Sequence, residues 1–141
     1  MPETWRMRCF STEEAAQISG MRRGTLDLWI FRGPETLFSA KRGSRRYFSP
    51  QDIATLAVSR ELERGGVVIL TAVACAFEHL QEPPAENAIL IVRNGAISAR
   101  TGEIISPADI PRAVHHSIQL IPIGKIVAEI RAACAKLYGG A

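Results

Sequence analysis

The sequence predicts an α+β fold in two parts. The first is a set of four helices with a basic β-hairpin between the second and third. The second is a small antiparallel sheet with a C-terminal helix. Three observations carry this reading. Residues 11–80 contain capped segments with helical apolar spacing, the basic stretch around Gly43 has the form of a glycine-tipped hairpin, and an apolar run at Ala88–Val92 is followed by Asn94-Gly95. Both helical and strand periodicities are therefore present, in separate stretches of the chain.

The first helix begins at Ser11, a good N-cap, with Glu14 three residues on to complete a capping box. Ala15, Ala16 and Ile18 supply its apolar stripe, and Gly20 can take the positive φ of a sharp stop. The second helix spans about Arg22 or Arg23 to Phe31, ending near Gly33. Leu26, Trp29 and Ile30 recur at i, i+3, i+4 and so share the core face. Arg22, Arg23, Thr25 and Asp27 are left at its start and on its outer face.

Leu37–Ala40 and Arg45–Phe48 read as two short strands, with Lys41-Arg42-Gly43-Ser44 as the turn. From Arg22 to Arg46 there are seven basic residues (Arg22, Arg23, Arg32, Lys41, Arg42, Arg45, Arg46) against two acids (Asp27, Glu35). The local net charge is +5, more than the +3 of the whole chain. Charge concentrated in this way attracts polyanions.

A third helix starts at Ser49 as N-cap, with Pro50 at its first position and Asp52 in its first turn. Ile53, Leu56, Ala57 and Leu62 form its stripe, and Gly65-Gly66 end it. A fourth helix runs from about Thr71 to Leu80 with Val73, Cys75, Ala76 and Phe77. Residues 81–86 hold two prolines among polar residues and read as a linker.

The order helix, turn, second helix with a basic start, basic hairpin resembles the N-terminal winged helix-turn-helix of the MerR superfamily. The resemblance rests on Gly20-Met21, Thr25-Leu26 followed by Trp29, Gly33 and the string Gly43 to Ile53, and covers residues 8 to 80. It implies a DNA-binding domain. Arg45, Arg46 and Tyr47 of the wing would contact phosphates, beside the basic Lys41 and Arg42. Arg22, Arg23 and Thr25 would face the groove. The chain departs from the pattern at four places. Phe48 is an extra residue between Tyr47 and Ser49, Ser44 replaces an aromatic, Asp27 stands for Arg and Leu28 for Tyr. A carboxylate facing DNA is costly unless it accepts from a cytosine amino group.

The second half departs from the family. Ala88–Val92 reads as a strand covered on both faces, Asn94-Gly95 as a tight turn and Ala96–Thr101 as the returning strand. Ser106-Pro107-Ala108-Asp109 opens a short helix toward Ala113, and Ser117–Ile121 is a third strand. A final helix spans Lys125 to Tyr138, with Ile126, Val127, Ile130, Cys134 and Leu137 on one side before Gly139-Gly140. The domains are therefore 1–80, a linker at 81–86, and 87–141. So small a second unit needs to bury its surface against the first domain, a second copy, or both. MerR-like regulators dimerise through a long antiparallel helix, which is not evident here. Residues 87–138 are the expected replacement.

The remaining residues argue for little further chemistry. Cys9, Cys75 and Cys134 are odd in number and far apart, which suits reduced, buried thiols rather than a metal site or disulfide. His115-His116 would point to opposite faces of a strand, and His79 sits near a helix end in favour of the dipole or in solvent. Trp29, Tyr47 and Phe48 read as packing residues. No catalytic pair, phosphate-binding loop, signal peptide or membrane-length apolar run of roughly 20 residues is found. The sequence thus predicts a cytoplasmic, non-enzymatic homodimer without cofactor or metal that regulates transcription on double-stranded DNA, with any small-molecule effector undetermined. The alternatives are an architectural, excisionase-like recombination factor and a winged-helix interaction module without DNA binding.

Overall fold

The computed structural model describes residues 2–32, 39–93, 102–114 and 117–138. In chain order the elements are α1 (Pro2–Trp5), β1 (Phe10–Ser11), α2 (Thr12–Ser19), α3 (Arg23–Arg32), β2 (Ala40–Arg42), β3 (Arg45–Phe48), α4 (Pro50–Arg64) and α5 (Ile69–His79). Then come β4 (Ile89–Arg93), β5 (Glu103–Ile105), a 3-10 turn at Pro107–Asp109, α6 (Ile110–Ala113), β6 (Ile118–Ile121) and α7 (Ile123–Tyr138). The architecture is α+β, with two three-stranded antiparallel sheets of order β1-β3-β2 and β5-β4-β6.

The local signals of the first half act as their chemistry dictates. Ser11 Oγ accepts from Glu14 N while Glu14 Oε1 accepts from Ser11 N, so α2 starts on a complete capping box. Gly20 closes it at φ 75°, a conformation that favours glycine. Leu26, Trp29 and Ile30 of α3 are buried as their spacing requires. α4 begins on a second capping box, in which Ser49 Oγ accepts from Asp52 N and Asp52 Oδ2 from Ser49 N.

The hairpin differs from the sequence expectation. Arg42 pairs with Arg45, so the turn is two residues, Gly43-Ser44, rather than four. Gly43 has φ 62°, and no non-glycine residue among those described has positive φ. That is the pattern of a type II′ turn, whose twist continues the ladder up to Arg42. Lys41 and Arg42 are therefore strand residues and point to opposite faces. Leu37 and Phe38 lie outside the described residues, as does Gly33. The short strand β1 pairs with the far side of β3, an addition that two residues of sequence did not announce.

Helix α1 was also not foreseen. Trp5 is buried, and its Nε1 donates to Leu80 O at the end of α5 (3.1 Å). Residues 81–88 have no helix or strand; there Arg6 Nη2 donates to Gln81 O (2.7 Å).

In the second half, β4 is central. Leu90 and Val92 are buried almost completely, and Ile91 is buried on the opposite face, which fits a strand covered on both sides. β4 pairs on one side with Glu103–Ile105, later than the expected return, and on the other with Ile118–Ile121, while Asn94-Gly95 and residues 96–101 lie outside the described residues. The short helix opens as a 3-10 turn, with Ser106 Oγ against Asp109 Oδ2 (3.0 Å). α7 begins two residues earlier than its apolar stripe suggested. Val127, Ile130 and Cys134 are buried, but Leu137, in the last turn, is exposed and belongs to the surface. Gly139-Gly140 lie outside the described residues.

One apolar core joins Trp5, Leu26, Phe48, Leu56 and Leu62 to Leu90, Ile121, Val127 and Cys134. α7 lies across α4 and α2, and Gln119 Nε2 donates to Glu61 O of α4 (2.7 Å). At the start of α7 a Cβ on Gly124 would lie 2.1 Å from Ala85 O, so the backbones approach closely enough to require glycine.

Candidate nucleic-acid interface

The hairpin and the start of α3 lie side by side. Ser11, Thr12 and Glu13 of the β1–α2 junction, Arg23 and Asp27 of α3, and Ser44–Tyr47 of the wing line one cleft of about 380 Å³. The cleft therefore unites Arg23 with Arg45, Arg46 and Tyr47. Arg22 is exposed and Thr25 half-buried, both outside the cleft lining. Lys41 and Arg42 are exposed on β2.

Strand alternation decides how the wing presents its charge. Arg42, Arg45 and Tyr47 share one face, while Lys41 and Arg46 share the other with Phe48, which is fully buried. Phe48 is the extra residue of the sequence motif. Its burial against the core keeps β3 in register with Phe10 of β1. On the first face the Arg42 guanidinium lies 5.0 Å from the centre of the Tyr47 ring, a cation–π arrangement, and its Nη2 donates to Arg8 O (3.0 Å). Tyr47 thus packs within the wing, and Trp29 and Phe48 within the core, as packing residues should. Arg46 is half-buried, with Nη1 3.5 Å from Ser39 Oγ.

The wing is anchored at its base by a residue that sequence reasoning missed. Arg8 Nε and Nη2 reach Asp52 Oδ2 and Oδ1 at 2.8 and 3.3 Å. Asp52 is 1% exposed and also caps Ser49, so it is a buried, fully used carboxylate rather than merely an acid in the field of the helix dipole. Arg8 is joined to α4 by its side chain and to β2 by its carbonyl. Its contact with Asp52 spans 44 residues, and no local spacing rule reports it.

At the helix the charge is arranged differently. Arg23 Nε donates to Asp27 Oδ1 (3.2 Å) and Arg23 Nη1 to Glu13 Oε1. The hydrogen bond to Asp27, with the second carboxylate, holds the guanidinium above its usual pKa. Asp27, the acid at a position where arginine is common, is thus one of two acids on a single cation.

Two of the three cysteines are buried. Burial pushes the Cys75 thiol up to about 11 and the Cys134 thiol up to about 12, so both are protonated at neutral pH. Cys9 is exposed rather than buried, because it lies on the surface strap before β1. His79 is half-buried instead of solvated, and its Nε2 has no partner among the described residues. His115-His116 lie outside the described residues. Among those described, no group of three potential metal ligands converges, and no helix is long and apolar enough to cross a membrane.

Two helices joined by a tight turn, with a basic hairpin beside the start of the second, define a winged helix-turn-helix domain. Residues 10–70 match the family described as MerR HTH family regulatory protein. No curated protein matches the sequence. The chain thus carries the helix-turn-helix of a family of DNA-binding transcription regulators.

Proposed function

We propose that the protein regulates transcription by binding duplex DNA as a homodimer on a pseudo-palindromic site, with α3 in the major groove and the wing on neighbouring phosphates. The observation that carries this reading is the shared cleft of Arg23, Arg45, Arg46 and Tyr47. Lys41, Arg42, Arg45, Arg46 and Tyr47 hold the backbone, and Arg22, Arg23 and Thr25 lie toward base edges. Residues 1–80 form the DNA-binding unit, and residues 87–138 take the place of the family's dimerisation helix. Regulation follows from distortion of the DNA between half-sites. The protein acts in the cytoplasm, without catalysis.

An electrophoretic mobility shift on genomic fragments tests DNA binding, and genome-wide footprinting separates promoters from the single attachment site of a recombination factor. Sedimentation of the full-length chain tests the dimer; a chain that sediments as a monomer contradicts that assignment. One observation favours a second reading, an interaction module without DNA binding: Leu28 and Phe31 are exposed on α3, Phe31 to 86%. The absence of any shift at low salt selects that reading.

A further inference from the structure

We propose that Arg23 reads a guanine, and that Asp27 and Glu13 are the positioning residues that aim its guanidinium. The inference rests on the duplex-DNA reading above and assigns a base to one position of α3.

The two carboxylates come from different elements. Asp27 lies one turn along α3 from Arg23, and Glu13 lies in the first turn of α2. A side chain held at Nε by one and at Nη1 by the other samples fewer orientations than an exposed arginine without partners. Stability does not explain the grip. The side chains are 46% exposed for Arg23, 56% for Asp27 and 76% for Glu13, and exposed ion pairs contribute at most about 1 kcal/mol. An orientation that adds so little to folding is available for recognition.

The chemistry then selects the ligand. Both N–H groups of Nη2 and the second on Nη1 are uncommitted among the described residues. Adjacent guanidinium N–H groups match the paired O6 and N7 acceptors on the major-groove edge of guanine. The triad as a whole carries one negative charge. A phosphate brought to it would meet two carboxylates, whereas the edge of a guanine is uncharged. The anionic backbone is left to Arg45 and Arg46 on the other side of the same cleft. The acid at position 27 thus has a function in place of the missing arginine: it orients an arginine one turn earlier on the helix.

The test uses the full-length chain and a library of duplexes with randomised sequence. Wild type is expected to enrich a guanine at one position of each half-site. Replacing that base by 7-deazaguanine, which lacks the N7 acceptor, is expected to weaken binding roughly ten-fold or more. Arg23→Ala is expected to lose the preference, and Asp27→Ala to blunt it, while Asp27→Glu retains it. The dependence of Asp27→Ala binding on salt should stay that of wild type, which separates a loss of aim from a loss of fold or of phosphate contact. Binding with no guanine preference, indifference to 7-deazaguanine, or an undiminished preference in Asp27→Ala overturns the inference alone. Sensitivity to N4-methylcytosine in place of 7-deazaguanine also overturns it, since Asp27 would then be reading cytosine directly. No binding to any duplex at low salt overturns the duplex-DNA reading as well.

Discussion

The wing and the opening of α3 face each other across one cleft, yet they hold their charges in opposite ways. On the wing, Lys41, Arg42 and Arg45 are exposed cations, and among the described residues none makes an ion pair. At the helix, Arg23 is held by Glu13 and Asp27. The lesson lies in what each arrangement suits. Unpaired cations on a two-residue hairpin suit a polyanion whose charges repeat regardless of sequence. A cation clamped by acids suits a neutral, directional acceptor. The wing also has the firmer foundation, because Arg8 and Asp52 fix its base with a buried carboxylate, whereas the helix triad lies in solvent.

Substitutions sharpen this contrast, beginning with the largest effect. Asp52→Ala removes a buried carboxylate that serves both Arg8 and Ser49, and is expected to cost roughly 3 kcal/mol in denaturant unfolding. A loss below about 1 kcal/mol would mean that the base of the wing is not anchored there. Arg45→Ala with Arg46→Ala is expected to lower affinity for every duplex on the order of a hundred-fold, measured by titration at fixed salt. A loss confined to certain sequences would assign the wing to base reading and erase the distinction. Arg42→Ala removes the stack on Tyr47 and the bond to Arg8 O, and should cost about 0.5–1 kcal/mol of stability with a few-fold loss of binding. Glu13→Gln should change unfolding by less than about 0.5 kcal/mol, since its ion pair is exposed. A larger effect would make the triad structural.

The parts of the molecule differ in how far they were legible in the sequence, and the reason is distance along the chain. Ser11 with Glu14, Ser49 with Pro50, and the Leu26–Trp29–Ile30 spacing are interactions within one turn, and each folds as its pattern predicts. The hairpin was placed correctly, but its turn was read two residues too long, since a basic strand end and a basic loop have the same composition. Trp5 to Leu80, Arg8 to Asp52 and Arg23 to Glu13 pair residues whose proximity is decided by tertiary packing. The expected stripe of α7 puts Leu137 on the buried side, but in the last turn of the helix this leucine is exposed. For the site, the clustered arginines were visible in composition; the neutralisation of Arg23 was not, because it needs Glu13 of another helix as well as Asp27 one turn away.

The division of labour between wing and helix is tested most directly by the salt dependence of duplex binding. For wild type, log K is expected to fall linearly with log salt concentration, at about 0.9 in slope for each phosphate held. The account predicts that Arg45→Ala with Arg46→Ala lowers that slope by roughly 1.8, while Arg23→Ala leaves it unchanged. A slope that survives the loss of both wing arginines, or that falls with Arg23, would contradict it.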